Sequence, residues 1–140
     1  MLSDLTRPAN GAAEFLKRPS ERRDHARFPM QLDVILRCPA LHGDWITART
    51  HDLSASGAFL ESLVPLPCHS ALEYVVTLPS ELTRASRPLR VRFYGSVIRV
   101  GHPGNGVFTI AVRNTNYRYL SHEESEAMSS TERSLQRNSG

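Results

Sequence analysis

Apolar and polar residues alternate along most of the chain between residues 28 and 112, with the period of two that is typical of half-buried β-strands. The alternation predicts six strands, at residues 28–37, 45–51, 58–61, 72–78, 89–97 and 108–112. Gly95 interrupts the fifth segment and predicts a bulge or a close approach of another stretch of backbone. Stretches rich in Pro, Gly and Ser separate the strands, among them residues 39–44, 80–87 and 101–106. Short strands connected in this way predict an all-β protein, a six-stranded antiparallel barrel that is closed or nearly closed.

Both ends of the chain depart from this pattern. Residues 1–20 mix Pro, Gly and scattered charges, which predicts a flexible N-terminal arm before a barrel at 21–116. Residues 117–140 are predicted to form a C-terminal helix and tail, since Ser121 followed by Glu124 fits a capping box. The sparse apolar face of this helix comprises Leu120, Ala127, Met128 and Leu135. We expect the helix to cover a barrel opening; the alternative is that it docks a partner.

Composition restricts the class of protein. A chain of 140 residues fits one domain, and its net charge of +3 with a pI of about 9.2 favours anionic partners without requiring nucleic acid. The two cysteines, Cys38 and Cys68, are too few for a disulfide framework and are expected to be buried free thiols. The start of the chain has no signal-peptide pattern, and no apolar run approaches the roughly 18 residues that span a bilayer. A soluble cytoplasmic protein is expected.

Two short motifs carry the candidate chemistry. Asp52, Ser54 and Gly57 stand between two predicted strands, where Asp52 can begin an Asx turn and Gly57 can adopt a positive φ. Polar edges of Asp52 and Ser54 would then be free for a ligand. Upstream, Arg23 and Arg27 are three residues apart just before the first strand. Guanidinium groups donate paired hydrogen bonds to phosphate or to guanine O6 and N7, whereas a carboxylate accepts from guanine N1 and N2. Together the motifs indicate one binding site.

The order Arg-x-x-x-Arg followed by Asp-x-Ser-x-x-Gly resembles the two-part signature of the PilZ domain family of cyclic di-GMP receptors. The resemblance covers residues 21–116, and residues 106–114 are similar to the family's closing strand. It implies a six-stranded barrel and a receptor for cyclic di-GMP, with no catalysis, no cofactor and no metal. By the family pattern, Arg23 and Arg27 meet phosphate and the guanine Hoogsteen edge. Asp52 and Ser54 fix the base, and Gly57 lets backbone approach the ligand.

The resemblance also bears on signalling and stoichiometry. We expect the ligand to order the arginine-rich arm over the barrel, so that the new surface relays the signal to an unidentified effector protein by protein contacts. In the family, an Arg at the position of Arg22 tends to accompany an intercalated dimer of cyclic di-GMP, which implies two nucleotides per chain. Some members stack an aromatic side chain from the fifth strand on guanine. Residues 95–99 contain no aromatic side chain, and Arg99 is the candidate to stack on guanine instead.

Three alternative readings stay open. A PilZ-like adaptor would act through protein contacts with weak or no nucleotide binding. A basic barrel could bind single-stranded nucleic acid, although such binding uses exposed aromatics and the Phe residues here lie in the apolar phase of strands. In the third reading, Arg22, Arg23 and Arg27 form a solvated basic stretch beside Glu21 and Asp24 and bind no ligand.

Metal binding and catalysis are not predicted. The six histidines show no metal-ligand spacing and are expected at the surface. Ser54 or Ser56 beside His51 and Asp52 lacks the Gly-x-Ser-x-Gly elbow of hydrolases, and adjacent strand residues are expected to point to opposite faces.

Overall fold

The computed structural model describes residues 31–139, with side chains to residue 136. Its antiparallel strands form a closed barrel in the order β1-β2-β3-β6-β5-β4. The strands are β1 (Asp33–Arg37), β2 (Trp45–Leu53), β3 (Gly57–Ser62), β4 (Ala71–Leu78), β5 (Leu89–Gly104) and β6 (Val107–Tyr119). Helix α1 (Ser80–Thr83) precedes β5, and helix α2 (His122–Ser139) follows β6. The predicted six-stranded antiparallel barrel with a C-terminal helix is confirmed.

The barrel closes around apolar residues that alternate along each strand. The inward set predicted for β4 is at most 4% exposed and consists of Leu72, Tyr74, Val76 and Leu78. At the centre, the Tyr74 ring stacks on Phe93 with the ring centroids 4.9 Å apart. Each fully buried side chain of this size contributes roughly 1.5–3 kcal/mol to folding. Burial of this set therefore explains why the alternation in the sequence predicts the strands.

Helix α2 lies on the outer wall of the barrel, so its predicted position over an opening is wrong. Ile35 and Val75 stand between inward-facing neighbours on β1 and β4 and therefore point outward, yet they are only 2% and 0% exposed. They are buried in a second hydrophobic cluster, which consists of Ile35, Val75, Leu120, Trp45, Met128 and Leu135. Ala127, assigned to the apolar face from the sequence, is exposed.

The capping box predicted at the start of α2 is confirmed. The Ser121 N–H donates to Glu124 Oε1 at 2.8 Å, and the Glu124 N–H donates to Ser121 Oγ at 3.2 Å. Arg118, near the end of β6, donates to both carboxylate oxygens of Glu124 at 3.0 and 2.9 Å. The Arg118 hydrogen bonds, followed by the Ser121 N–H, lower the pKa of Glu124 to about 2. Further along the helix, Arg90 of β5 pairs with Glu132 at 2.8 Å.

Several boundaries differ from the prediction. Strands β5 and β6 extend to a tight turn at Asn105 and Gly106, which have φ values of 63° and 72°, so residues 101–104 belong to a strand. Strand β6 continues past residue 116 to Tyr119. The segment 80–87 was predicted to be a loop but begins with the single turn α1, which ends where Arg84 adopts a left-handed φ of 63°. The part of the first predicted strand at residues 28–30 lies outside the described residues.

The irregularity predicted at Gly95 is confirmed. The pairing of β5 with β6 shifts register between Tyr94 and Gly95. A Cβ atom on Gly95 would collide with the carbonyl oxygen of Arg113 on β6. Glycine is therefore needed there for the backbones to approach each other.

The predictions for the two cysteines are confirmed only in part. Both cysteines are free, but only Cys38 is buried as predicted. Cys68 is exposed because it lies in the β3–β4 connection, where its Sγ is 3.6 Å from the Ile98 carbonyl oxygen. No helix in the described part of the chain is long and apolar enough to cross a membrane.

Candidate functional site

The turn between β2 and β3 is built around Ser54. Asp52 still belongs to β2, so the turn begins two residues later than the sequence predicted. Ser54 is 1% exposed, and its N–H donates to the Gly57 carbonyl at 2.9 Å. Its hydroxyl lies 3.2 Å from both the carbonyl oxygen and the N–H of Gly57. The Ser54 hydroxyl is thus engaged inside the turn rather than left free as predicted, and its contact with a ligand stays a prediction.

Gly57 is the buried first residue of β3 and pairs with Arg113 of β6. The prediction that it uses a positive φ is wrong, since the described glycines with positive φ are Gly43, Gly104 and Gly106. Ser54 closes the turn through Oγ and backbone hydrogen bonds, so the turn does not need a left-handed residue at its end.

A β-bulge at His51 sets the direction of Asp52. Thr50 pairs with Leu60 and Asp52 pairs with Phe59, so His51 is an extra residue in β2. Partners across a ladder share a face, and Leu60 is fully buried in the core, which leaves the next pair, Asp52 and Phe59, on the outer face. His51 also lies outside, with its ring centroid 5.5 Å from that of Phe59. The expectation that His51 and Asp52 point to opposite faces is therefore wrong.

The chain enters β1 beside this site. The Leu32 N–H donates to Thr50 Oγ1 at 2.8 Å, and the Leu32 carbonyl accepts from the Thr50 N–H at 3.0 Å. Leu32, at the end of the segment that precedes β1, is thus held opposite Thr50, and Asp52 is two residues beyond Thr50. The predicted ligand residues Arg22, Arg23 and Arg27 belong to this preceding segment and lie outside the described residues.

Asn114 of β6 clamps the β2–β3 turn. Its Nδ2 donates to the carbonyls of Ser54 and Ala55 at 3.2 and 3.3 Å, and its N–H donates to the Ser56 carbonyl at 2.8 Å. Its Oδ1 accepts from the Tyr74 hydroxyl at 2.6 Å, which connects the turn to the barrel core. The sequence did not predict this role, because Tyr74 and Asn114 are 40 positions apart and no local pattern joins them.

The arrangement around His51 does not assemble a nucleophile and base. His51 Nε2 is 2.5 Å from Glu61 Oε2 on the neighbouring strand. The Ser54 and Ser56 hydroxyls contact each other at 3.2 Å. Across the residues that the structure describes, no three His, Cys, Asp or Glu side chains come together in a potential metal site.

The outer wall carries the aromatic residues Trp45 and Tyr94 beside two arginines, the residue types that bind single-stranded nucleic acid. Arg37 lies over the Trp45 ring, 4.5 Å from its centroid, and Arg92 lies 5.9 Å from the Tyr94 ring. Glu73 pairs with both arginines. The Trp45 face is covered and the charge of the arginines is partly neutralised, so this cluster is not an open stacking platform.

A cleft of about 420 Å³ lies between α2 and the barrel wall, away from the β2–β3 turn. Its lining includes Arg49 and Glu61 but no residue from 50 to 60. The outer face that carries Asp52 is therefore not part of this cleft.

A solved structure shows the same fold. The Bacillus subtilis Inhibitor of motility (MotI/DgrA) is 15% identical, with a TM-score of 0.55 over 84% of this chain and 53% of that chain. The present chain thus spans about half of that protein. The PilZ domain of CeSA from a cellulose-synthesizing bacterium is 20% identical, with a TM-score of 0.43 over 82% of this chain and 99% of that chain. Among curated proteins, none matches.

A sequence model of the PilZ domain matches residues 21–118, which is most of the chain and includes both motifs and all six strands to within one residue of their end. Domains of this kind bind ligands or partners and are generally receptors for cyclic di-GMP. The chain therefore belongs to the PilZ domain family.

Proposed function

We propose that this PilZ domain is a cyclic di-GMP receptor whose N-terminal arm and β2–β3 turn hold the nucleotide together. The observation that carries the proposal is the His51 bulge, which directs the Asp52 carboxylate outward beside the point where the arm enters β1. A carboxylate there can accept hydrogen bonds from the N1 and N2 groups of guanine.

The length of the connecting segment supports a composite site. Arg27 is five residues before Leu32, and five residues span at most about 17 Å. Because Leu32 is fixed to Thr50, Arg27 is tethered within reach of Asp52. Arg23 is four residues before Arg27 in the sequence. The two arginines then supply the donors for phosphate and for guanine O6 and N7.

The proposed signal is a change of surface. A nucleotide that bridges the arm and the barrel stabilises arrangements in which the arm lies against β2. The effector protein would then recognise the arm in its bound position, so the domain relays the signal without a chemical reaction.

Calorimetric titration of the purified chain with cyclic di-GMP tests this function. We expect saturable binding, with GMP, GTP and cyclic AMP as controls that bind more weakly because they lack the linked second guanine. Absence of binding by cyclic di-GMP at millimolar concentration, with folded protein verified by circular dichroism, would refute the receptor and favour a PilZ-like adaptor.

A further inference from the structure

A row of outward-facing positions crosses four strands from Asp52. Asp52 pairs with Phe59, Phe59 pairs with Ala111, and Ala111 pairs with Arg99 of β5. Directly opposed residues share a face, so all four positions lie on the outer surface beside His51. The row spans three inter-strand spacings, roughly 14 Å.

Arg99 reaches this face through another bulge. Val97 pairs with Val112 inside the barrel and is 0% exposed, whereas Arg99 pairs with Ala111, so Ile98 is the extra residue. Without Ile98 in this position, strict alternation would direct Arg99 into the barrel interior. The bulges in β2 and β5 thus bring Asp52 and Arg99 onto one face, at opposite ends of the same row.

Arg113 lies beside this row. It pairs with Gly57 on one side and with Ser96 on the other, and its neighbour Val112 faces inward, so Arg113 points outward. Arg99 and Arg113 are exposed, and neither forms an ion pair with another residue in the described part of the chain. The positions next to Arg99 and Arg113 are small, Gly57, Ala111 and Ser96, whereas Phe59 lies between Ala111 and Asp52 in the row.

We infer that Arg99 and Arg113 form a phosphate-binding pair for the nucleotide whose guanine is held at Asp52. This inference rests on the proposed function. A dinucleotide carries a guanine edge for the carboxylate and phosphodiester oxygens for the guanidinium groups, so it can use both ends of the face. The pair lies on β5 and β6, outside both sequence motifs.

Titration of Arg99→Ala and Arg113→Ala with cyclic di-GMP tests the pair. Each substitution should weaken binding about tenfold, the loss expected for one charge-assisted contact. The dependence of affinity on salt concentration should also become shallower, because a cation that meets phosphate is removed. Arg99→Lys and Arg113→Lys should recover part of the affinity, since Lys keeps the charge but not the fork.

Arg133→Ala is the matched control, because Arg133 is an exposed arginine on α2 and outside this face. Circular dichroism and melting temperature verify that every variant is folded. If wild type binds and Arg99→Ala, Arg113→Ala and their double variant bind as tightly as Arg133→Ala, the pair is refuted while the receptor stands. If wild type itself does not bind, the receptor proposal fails and the inference falls with it.

Discussion

Asn114 holds the β2–β3 turn with one side chain, and its removal measures how far the site depends on that turn. Asn114→Ala removes the bonds to the Ser54 and Ala55 carbonyls and the bond from Tyr74. We expect a loss of about 1–3 kcal/mol in the free energy of unfolding, because these groups are partly buried. Cyclic di-GMP affinity should also fall, since the turn that follows Asp52 loses its support. Urea denaturation and calorimetric titration measure the two effects.

The same strand offers a control for Asn114. Asn116 is exposed two residues further along β6, and Asn116→Ala should leave both quantities within the error of wild type. Tyr74→Phe keeps the stacked ring and removes the hydroxyl that donates to Asn114, so it should cost about 1 kcal/mol. Wild-type stability and affinity in Asn114→Ala would show that the clamp is dispensable.

The motif residues make the next prediction. Arg27→Ala and Asp52→Ala should each weaken cyclic di-GMP binding tenfold or more, because each removes charge-assisted hydrogen bonds worth roughly 1.5–3 kcal/mol. The barrel should stay folded, since Arg27 precedes the strands and Asp52 lies on the outer face. Arg18→Ala and Asp44→Ala remove the same charges outside the motifs and serve as controls. Equal affinity of Arg27→Ala and wild type would exclude the arm from the site.

The direction of Asp52 and the contacts of Asn114 could not be predicted from the sequence. The identities of Asp52, Ser54 and Gly57 indicate a polar turn, but the direction of Asp52 depends on one extra residue, His51. A bulge changes the phase of a strand without a distinctive residue type, so strict alternation assigned His51 and Asp52 to opposite faces. No local pattern predicts the contacts of Asn114, because its partners come from a turn and a strand that are distant in sequence.

At the scale of elements, the start of α2 should respond to acid. The folded pKa of Glu124, about 2, lies below its ordinary value of 4.5, so its contribution to stability is complete above pH 4.5 and is lost as pH falls toward 2. Because the Glu124 side chain is 40% exposed, we expect only a few tenths to about 1 kcal/mol. Fluorescence of Trp45, the single tryptophan, reports on the helix that packs against it.

Glu124→Gln isolates this effect, because Gln can complete a capping box but cannot form the ion pair with Arg118. The difference in stability between wild type and Glu124→Gln should be largest near neutral pH and vanish near pH 2. Glu123→Gln, one residue earlier and exposed, controls for net charge. A difference that does not change with pH would contradict the assignment to Arg118.

Two features of the sequence predict helix α2 and its position, although neither follows the alternation of apolar and polar residues. Its capping box was predictable because both partners lie within four residues. The position of α2 on the outer wall is indicated by two runs in which three consecutive residues are buried, Val34-Ile35-Leu36 and Tyr74-Val75-Val76. A strand covered on both faces loses its alternation, so these runs mark the surface under α2.

At the scale of the whole molecule, ligand binding should raise the melting temperature. A ligand that binds only the native state adds about 2.7 kcal/mol at a hundredfold excess over its dissociation constant. For a domain of this size, we expect an increase of several degrees in a thermal scan with cyclic di-GMP. GTP at the same concentration should leave the transition unchanged. An equal shift by both nucleotides would indicate a general anion effect.

Stoichiometry tests the role of Arg22. Two stacked cyclic di-GMP molecules bring four phosphates together and need more positive charge than one molecule. We therefore expect calorimetric titration to give about two nucleotides per chain for wild type. The value should fall toward one for Arg22→Leu while binding persists. Arg18→Leu, a matched change in the same part of the chain, should keep the ratio of wild type. A ratio of one for fully active wild type would refute this role.

The closed ring of six strands also limits how a partner can recognise this protein. In the described residues, every strand has two hydrogen-bonded neighbours, and the ladders leave one side without a strand partner where β5 and β6 extend past β4 and β3, at residues 98–104 and 115–119. Outside these short extensions, a partner recognises side chains on the wall, the turns or the helix. Such recognition changes by surface substitution alone, which allows one barrel to acquire new partners without altering its backbone.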